Sequence, residues 1–121
     1  MIDRYSIKGP GDSRASYQDI VRVLLRPDFY PHPVEEVEHI QTHISSVFLA
    51  GDRAYKLKKP VNFGFVNFTS LESREKYCRE ELRLNRRLAP DVYLEVAPIT
   101  RTETGFELKG PGPVVDWLVV M

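Results

Sequence analysis

Residues 54–58 and 69–88 constrain the fold most, because together they read as one strand followed by one long helix. Successive strand side chains face opposite sides of a sheet, so Ala54 and Lys56 share one face while Tyr55 and Leu57 share the other. A small residue and a lysine therefore look into one cleft. In the helix, Leu71, Cys78, Leu82, Asn85 and Leu88 fall roughly at helical spacing. Thr69 and Glu72 form a capping box at its start, and Ala89-Pro90 stops it. Glu81 lies on the edge of the mainly apolar face and is expected to look toward the sheet, where a carboxylate needs a cation. Lys56 is the economical candidate for that cation, and Glu80 competes with Glu81 for the pairing.

The remaining elements follow from the same rules. Tyr17, Ile20, Val21 and Leu24 repeat at i, i+3, i+4 and i+7, with Ser16 and Asp19 as a capping box and Arg26-Pro27 as the stop. Residues 29–33 carry two prolines and read as an irregular connector. Strands are expected at 37–44 and 46–50, joined to the lysine strand through a Gly51-Asp52 hairpin turn. After the helix come a strand at 92–100, a turn at 102–105, a return at 106–109, a break at Gly110-Pro111-Gly112-Pro113 and a last apolar strand at 114–121. The expectation is an α+β domain of about five antiparallel strands, a helix inserted after the third, and an extra N-terminal helix.

The strand reading Arg53-Ala54-Tyr55-Lys56 resembles the V-A-I-K strand of protein kinases, departing from it at the first and third positions. Residues 43–94 as a whole look like the N-terminal region of bacterial aminoglycoside phosphotransferase-like proteins, often fused to a P-loop kinase domain and similar to protein kinases in fold. The likeness extends over about residues 20–121 and is strongest in AYKLKKPV and EELRLNRRLAPD; residues 1–12 add nothing to it. It implies a kinase-like small lobe over residues 13–121, preceded by a tail at 1–12, in an ATP-dependent phosphotransferase that phosphorylates a small hydroxylated molecule. In that pattern Lys56 matches the phosphate-binding lysine, Glu81 its helix partner and Ala54 the adenine-pocket wall, while residues 117–121 lead into the hinge.

Kinases also place a glycine-rich loop between their first two strands, where backbone N–H groups approach the phosphates. Here that position holds Thr42-His43-Ile44-Ser45-Ser46, and Ser45 and Ser46 are expected to cradle phosphate through backbone and hydroxyls. The large lobe, with the catalytic residues and the Mg2+ ligands, is expected to be absent from this chain, which then reads as a fragment, inactive alone and prone to pair as a symmetric dimer. Without the resemblance, Lys56-Leu57-Lys58-Lys59 reads as a solvated strand edge, and the charges of 79–87 as surface pairs.

Composition narrows the alternatives. The chain has 121 residues with 42% apolar content, and its seventeen basic and seventeen acidic residues cancel, against a broad nucleic-acid or membrane-surface footprint. One cysteine, Cys78, excludes an internal disulfide; with no leader-like start and no apolar run near the roughly 20 residues of a membrane helix, a cytoplasmic protein is expected. Asn62 to Phe68 matches most of an RNA-recognition signature, but such a module needs a helix between its two signature strands, and 51–61 hold a turn and the lysine strand. A non-catalytic nucleotide- or RNA-binding module is the runner-up; the plainer reading packs Phe63, Phe65 and Phe68 into the core. His39 and His43 lack a third ligand for zinc, and Gly9-Pro10-Gly11 and Gly110-Pro111-Gly112 are turns, since proline removes the N–H donors of a phosphate loop.

Overall fold

The computed structural model describes residues 16–62, 64 and 67–121. The 1–12 tail, the Gly9-Pro10-Gly11 turn, and Phe63 and Phe65 lie outside these described residues. The described residues form an α+β arrangement of two α-helices and a six-stranded antiparallel sheet in the order β1-β2-β3-β6-β4-β5. The strands are β1 (Val37–Gln41), β2 (Ser45–Ala50), β3 (Arg53–Lys58), β4 (Glu95–Arg101), β5 (Phe106–Leu108) and β6 (Val114–Val120). There are thus six strands rather than about five, because Phe106–Leu108 forms a separate edge strand on β4. β1-β2, β2-β3 and β4-β5 are hairpins, and β6 inserts between β3 and β4.

Helix α1 (Tyr17–Leu24) starts where expected. The Ser16 hydroxyl accepts from the Asp19 N–H at 3.0 Å, and Pro27, which opens a 3-10 turn at Pro27–Phe29, prevents continuation. Its apolar stripe covers one sheet face, where Ile20 and Leu24 join Tyr30, Phe48, Ala50, Tyr55, Leu57, Ala97, Ile99, Leu118 and Val120 in one buried cluster. The Tyr30 hydroxyl donates to the Leu24 carbonyl, tying the connector to the end of α1. Burial of this core is the main stabilising term, at about 25 cal/mol per Å² of apolar surface removed from water.

Helix α2 (Leu71–Arg86) lies on the opposite face, against β6 and β4. Its N-cap is Ser70, whose hydroxyl accepts from the Ser73 N–H at 3.1 Å, and not Thr69 as the T-x-x-E spacing suggested. Thr69 is otherwise engaged, since its amide and hydroxyl both donate to Asn67 Oδ1 in an Asx turn. The helix also stops earlier than the apolar spacing suggested: Leu88 lies beyond its end and is 89% exposed.

Two glycines are required by geometry. Gly51, in the β2–β3 turn, has φ +66°, and a Cβ on Gly112 would sit 2.0 Å from the Arg101 carbonyl oxygen. The register of β4 on β6 slips between Ile99 and Thr100. This bulge brings Val115 into the α1-side core and leaves Asp116 against Arg74 of α2. Among the described residues no helix is long and apolar enough to cross a membrane.

Candidate functional site

Cross-strand pairing fixes which side chains share the α2 face. Ala54, Lys56 and Lys58 lie opposite Leu49, Val47 and Ser45 of β2, and Lys56 also pairs with Val119 of β6. From above, α2 turns Glu81 toward this face. Lys56 Nζ donates to Glu81 Oε2 at 2.8 Å, and Lys58 Nζ donates to Oε1 at 2.9 Å. The side chains of Lys56, Glu81 and Lys58 are 27%, 16% and 6% exposed. Burial pushes the Glu81 carboxyl up, but the hydrogen bonds and charges of the two lysines outweigh it, so the group sits below its ordinary value.

The choice between the neighbouring glutamates is made by helix geometry. Glu80 points outward and accepts from Nε and Nη2 of Arg83, each at 2.9 Å. Its exposed pair is of the kind that contributes little to stability.

Ala54 sits where strand parity put it, on the lysine face, and its backbone N–H and carbonyl bond those of Met121 at 2.7 and 2.8 Å. The open side of Lys56 is thus bordered by the small Ala54 and by Val47, Leu49 and Val119.

In the β1–β2 turn, where Ser45 and Ser46 were expected to cradle phosphate, the hydrogen bonds run within the turn. The Thr42 hydroxyl accepts from the Ser45 N–H at 3.1 Å and the Ile44 N–H at 3.4 Å, while the Thr42 N–H donates to the Ser45 carbonyl at 2.9 Å. The turn closes on itself, with the Thr42, Ile44 and Ser45 amides all bonded within it. Ser46 is wholly buried on the opposite face, with its hydroxyl bonded to that of Tyr17 in α1. Ser45 stands on the lysine face, opposite Lys58, and is also buried.

Two features of the site were not read from the sequence. The first is Lys58, which holds the second oxygen of Glu81; the i, i+2 spacing of the two lysines was the available signal. The second is the buried pair Arg74–Asp116, with Nε to Oδ1 at 3.0 Å. Arg74 also donates to the Phe68 carbonyl at 2.9 Å and the Thr69 carbonyl at 3.2 Å, and the Trp117 N–H donates to Asp116 Oδ1 at 2.8 Å. Burial pushes the Asp116 carboxyl up, with the Arg74 guanidinium opposing it. A lone acid in the apolar run Val114–Val120 was the signal that a cation must come to meet it.

Phe68, the described aromatic of the RNA-like signature, is 3% exposed. Its ring meets the edge of Tyr77 with centroids 5.3 Å apart, and the Lys58 ammonium lies 5.2 Å from its centroid, so no face is offered for base stacking. His39 lies on β1 and stacks on Phe48 at 4.5 Å between centroids. Among the described residues no group of three or more His, Cys, Asp or Glu side chains is arranged to hold a metal ion.

No family model matches the chain, and no solved structure matches it. The chain is similar to uncharacterized proteins of Mycobacterium tuberculosis and Mycobacterium bovis, 44% identical over 77 residues in each case, which covers 61% of this chain. It spans 16% of the length of those curated relatives.

Proposed function

We propose that this chain is the ATP-binding small lobe of a phosphotransferase of the aminoglycoside phosphotransferase-like class, which moves a phosphate from ATP to a hydroxyl of a small molecule. The observation that carries this reading is the bridge between Lys56 on β3 and Glu81 on α2, with Ala54 on the same face two residues before the lysine. In protein kinases a β3 lysine and a glutamate of the following helix must be paired for phosphoryl transfer, and the lysine meets the α/β-phosphates. The order of elements supports the reading as well: three antiparallel strands, a helix on the lysine face, then the remaining strands.

The residues present fit an anionic ligand at Lys56. Its ammonium stays reachable from solvent, it is held in place by Glu81, and the apolar side chains beside it strengthen an electrostatic contact by keeping water away. Ala54 leaves room for a flat ring next to the Met121 backbone. The self-closed turn at 42–45 departs from a glycine-rich loop, so the proposal rests phosphate recognition on the Lys56 ammonium and not on loop amides. Mg2+ carried by the nucleotide neutralises phosphate charge. Its ligands, the catalytic groups and the acceptor site are proposed to belong to a second lobe to which this one is joined.

The test is a titration of the 15N-labelled chain with Mg2+·ATP at millimolar concentration. Expected are shifts confined to the amides around Ala54, Lys56, Val119 and Met121, lost in Lys56→Met while the rest of the spectrum is retained. Identical shifts in parent and variant, or none at these positions, would overturn the reading.

A further inference from the structure

The two lysines hold Glu81 differently. Lys58 is walled in: its ammonium lies over the Phe68 ring, its strand neighbour is the buried Ser45, and only 6% of its side chain meets solvent. Lys56, at 27%, can turn outward by rotating its side chain. Each ammonium binds a different oxygen of the carboxylate, so the three groups sum to one positive charge, and either lysine can leave without stripping Glu81 of its cation.

That arrangement answers a problem a single lysine would face. A phosphate that draws Lys56 away leaves behind a half-buried carboxylate close to the incoming anion, and an uncompensated charge in such a place is costly. We infer that Lys58 is a positioning residue, the resident counter-ion that keeps Glu81 charged and in place while Lys56 turns to the phosphate of a ligand. The inference rests on the phosphate-binding reading of Lys56. Lys58 approaches no ligand itself; it acts through Glu81.

The other titratable groups around the cluster are Arg74 and Cys78 on α2 and Asp116 on β6. Arg74 and Asp116 are bonded to each other, and burial holds the Cys78 thiol neutral. The two lysines therefore set the state of Glu81.

The experiment follows the Glu81 carboxyl carbon by 13C NMR through an acid titration of the whole chain, in the parent, Lys56→Met, Lys58→Met and Lys58→Arg. Expected is a midpoint in Lys56→Met close to the parent's, a midpoint raised by about one unit or more in Lys58→Met, and restoration in Lys58→Arg. Equal midpoints in the two methionine variants, or a larger rise in Lys56→Met, overturn the assignment. Lys56→Met alone decides the matter if Lys58→Met does not fold, because the inference requires Glu81 to remain ionised to low pH without Lys56.

A second arm measures binding of inorganic triphosphate to the parent and Lys58→Met between pH 5 and 8. Expected is affinity reduced about tenfold in the variant at neutral pH, with the ratio of variant to parent recovering toward acid pH as Glu81 takes up a proton on binding. A ratio that does not change with pH overturns the positioning role and leaves a purely structural one. No binding by the parent, with the carboxyl midpoints in the expected order, overturns the phosphate-binding reading of Lys56 and the ligand-linked half of the inference, and leaves Lys58 as the principal counter-ion.

Discussion

Glu81→Ala is the perturbation whose cost the structure defines best. It removes the shared acceptor of two ammoniums, and these do not suffer equally. Lys56 can rejoin water, whereas Lys58 is left among Phe68, Cys78 and Ser45 with 6% of its side chain exposed. Breaking a fully buried pair by deleting one partner costs about 3–5 kcal/mol; with Glu81 itself 16% exposed and Lys56 freed, the expected loss is about 2–3 kcal/mol. For a domain of this size that lowers Tm by about 8–12 °C.

Thermal unfolding followed by circular dichroism at pH 7 measures the loss, with Glu80→Ala as the control, because that side chain is exposed and pairs only with Arg83. The pH dependence gives a second check. The folded value of Glu81 lies below its ordinary 4.5, so its contribution is fully present above that pH and is lost as pH falls through the folded value. The gap between parent and Glu81→Ala should be constant through neutral pH and narrow in acid. Equal Tm for Glu81→Ala and Glu80→Ala would refute the argument that the carboxylate holds a buried cation.

Two further outcomes follow from α2. Cys78 is fully buried and its thiol is pushed up to about 12 by burial, so a thiol reagent at pH 8 should label the native chain only through opening, and labelling at the rate of the denatured chain would contradict this. Arg74→Met should cost more than Asp116→Asn when both are compared by denaturant midpoint: the first abandons a buried carboxyl and two backbone carbonyls, the second keeps the shape and an acceptor for Arg74, and the reverse order would disprove the account.

Strand parity and cap chemistry are local, and what depended on them was legible in the sequence. Ser16 with Asp19 marked the start of α1, Gly51-Asp52 marked the β2–β3 turn, and the alternation through 54–58 put Ala54 and Lys56 on one face with Glu81 above them. What depended on competition between neighbouring groups was not. Thr69 and Ser70 were equally able to cap α2, and Asn67 decided between them by taking the Thr69 hydroxyl. Ser45 and Ser46 are successive residues of one strand and so take opposite faces, Ser46 going with Leu57, and Thr42 closed a turn that looked free to receive a ligand. The burial of Lys58 could be read only once Phe68 was known to fold under α2.

The place of β6 between β3 and β4 has a consequence for how the domain comes into being. Every other strand finds a partner within a hairpin, but β3 and β4 are joined only through β6, which follows both in the chain. Until residues 114–120 are available, the nascent polypeptide holds two half-sheets, β1-β2-β3 and β4-β5, bare at β3 and at β4 where β6 will sit, and with Lys56 and Glu81 carried on elements that nothing yet clamps together. Assembly is then a late and cooperative event, slow in the manner of folds rich in long-range pairings, and the bare edges of β3 and β4 are where an interrupted or delayed synthesis would invite the wrong strand.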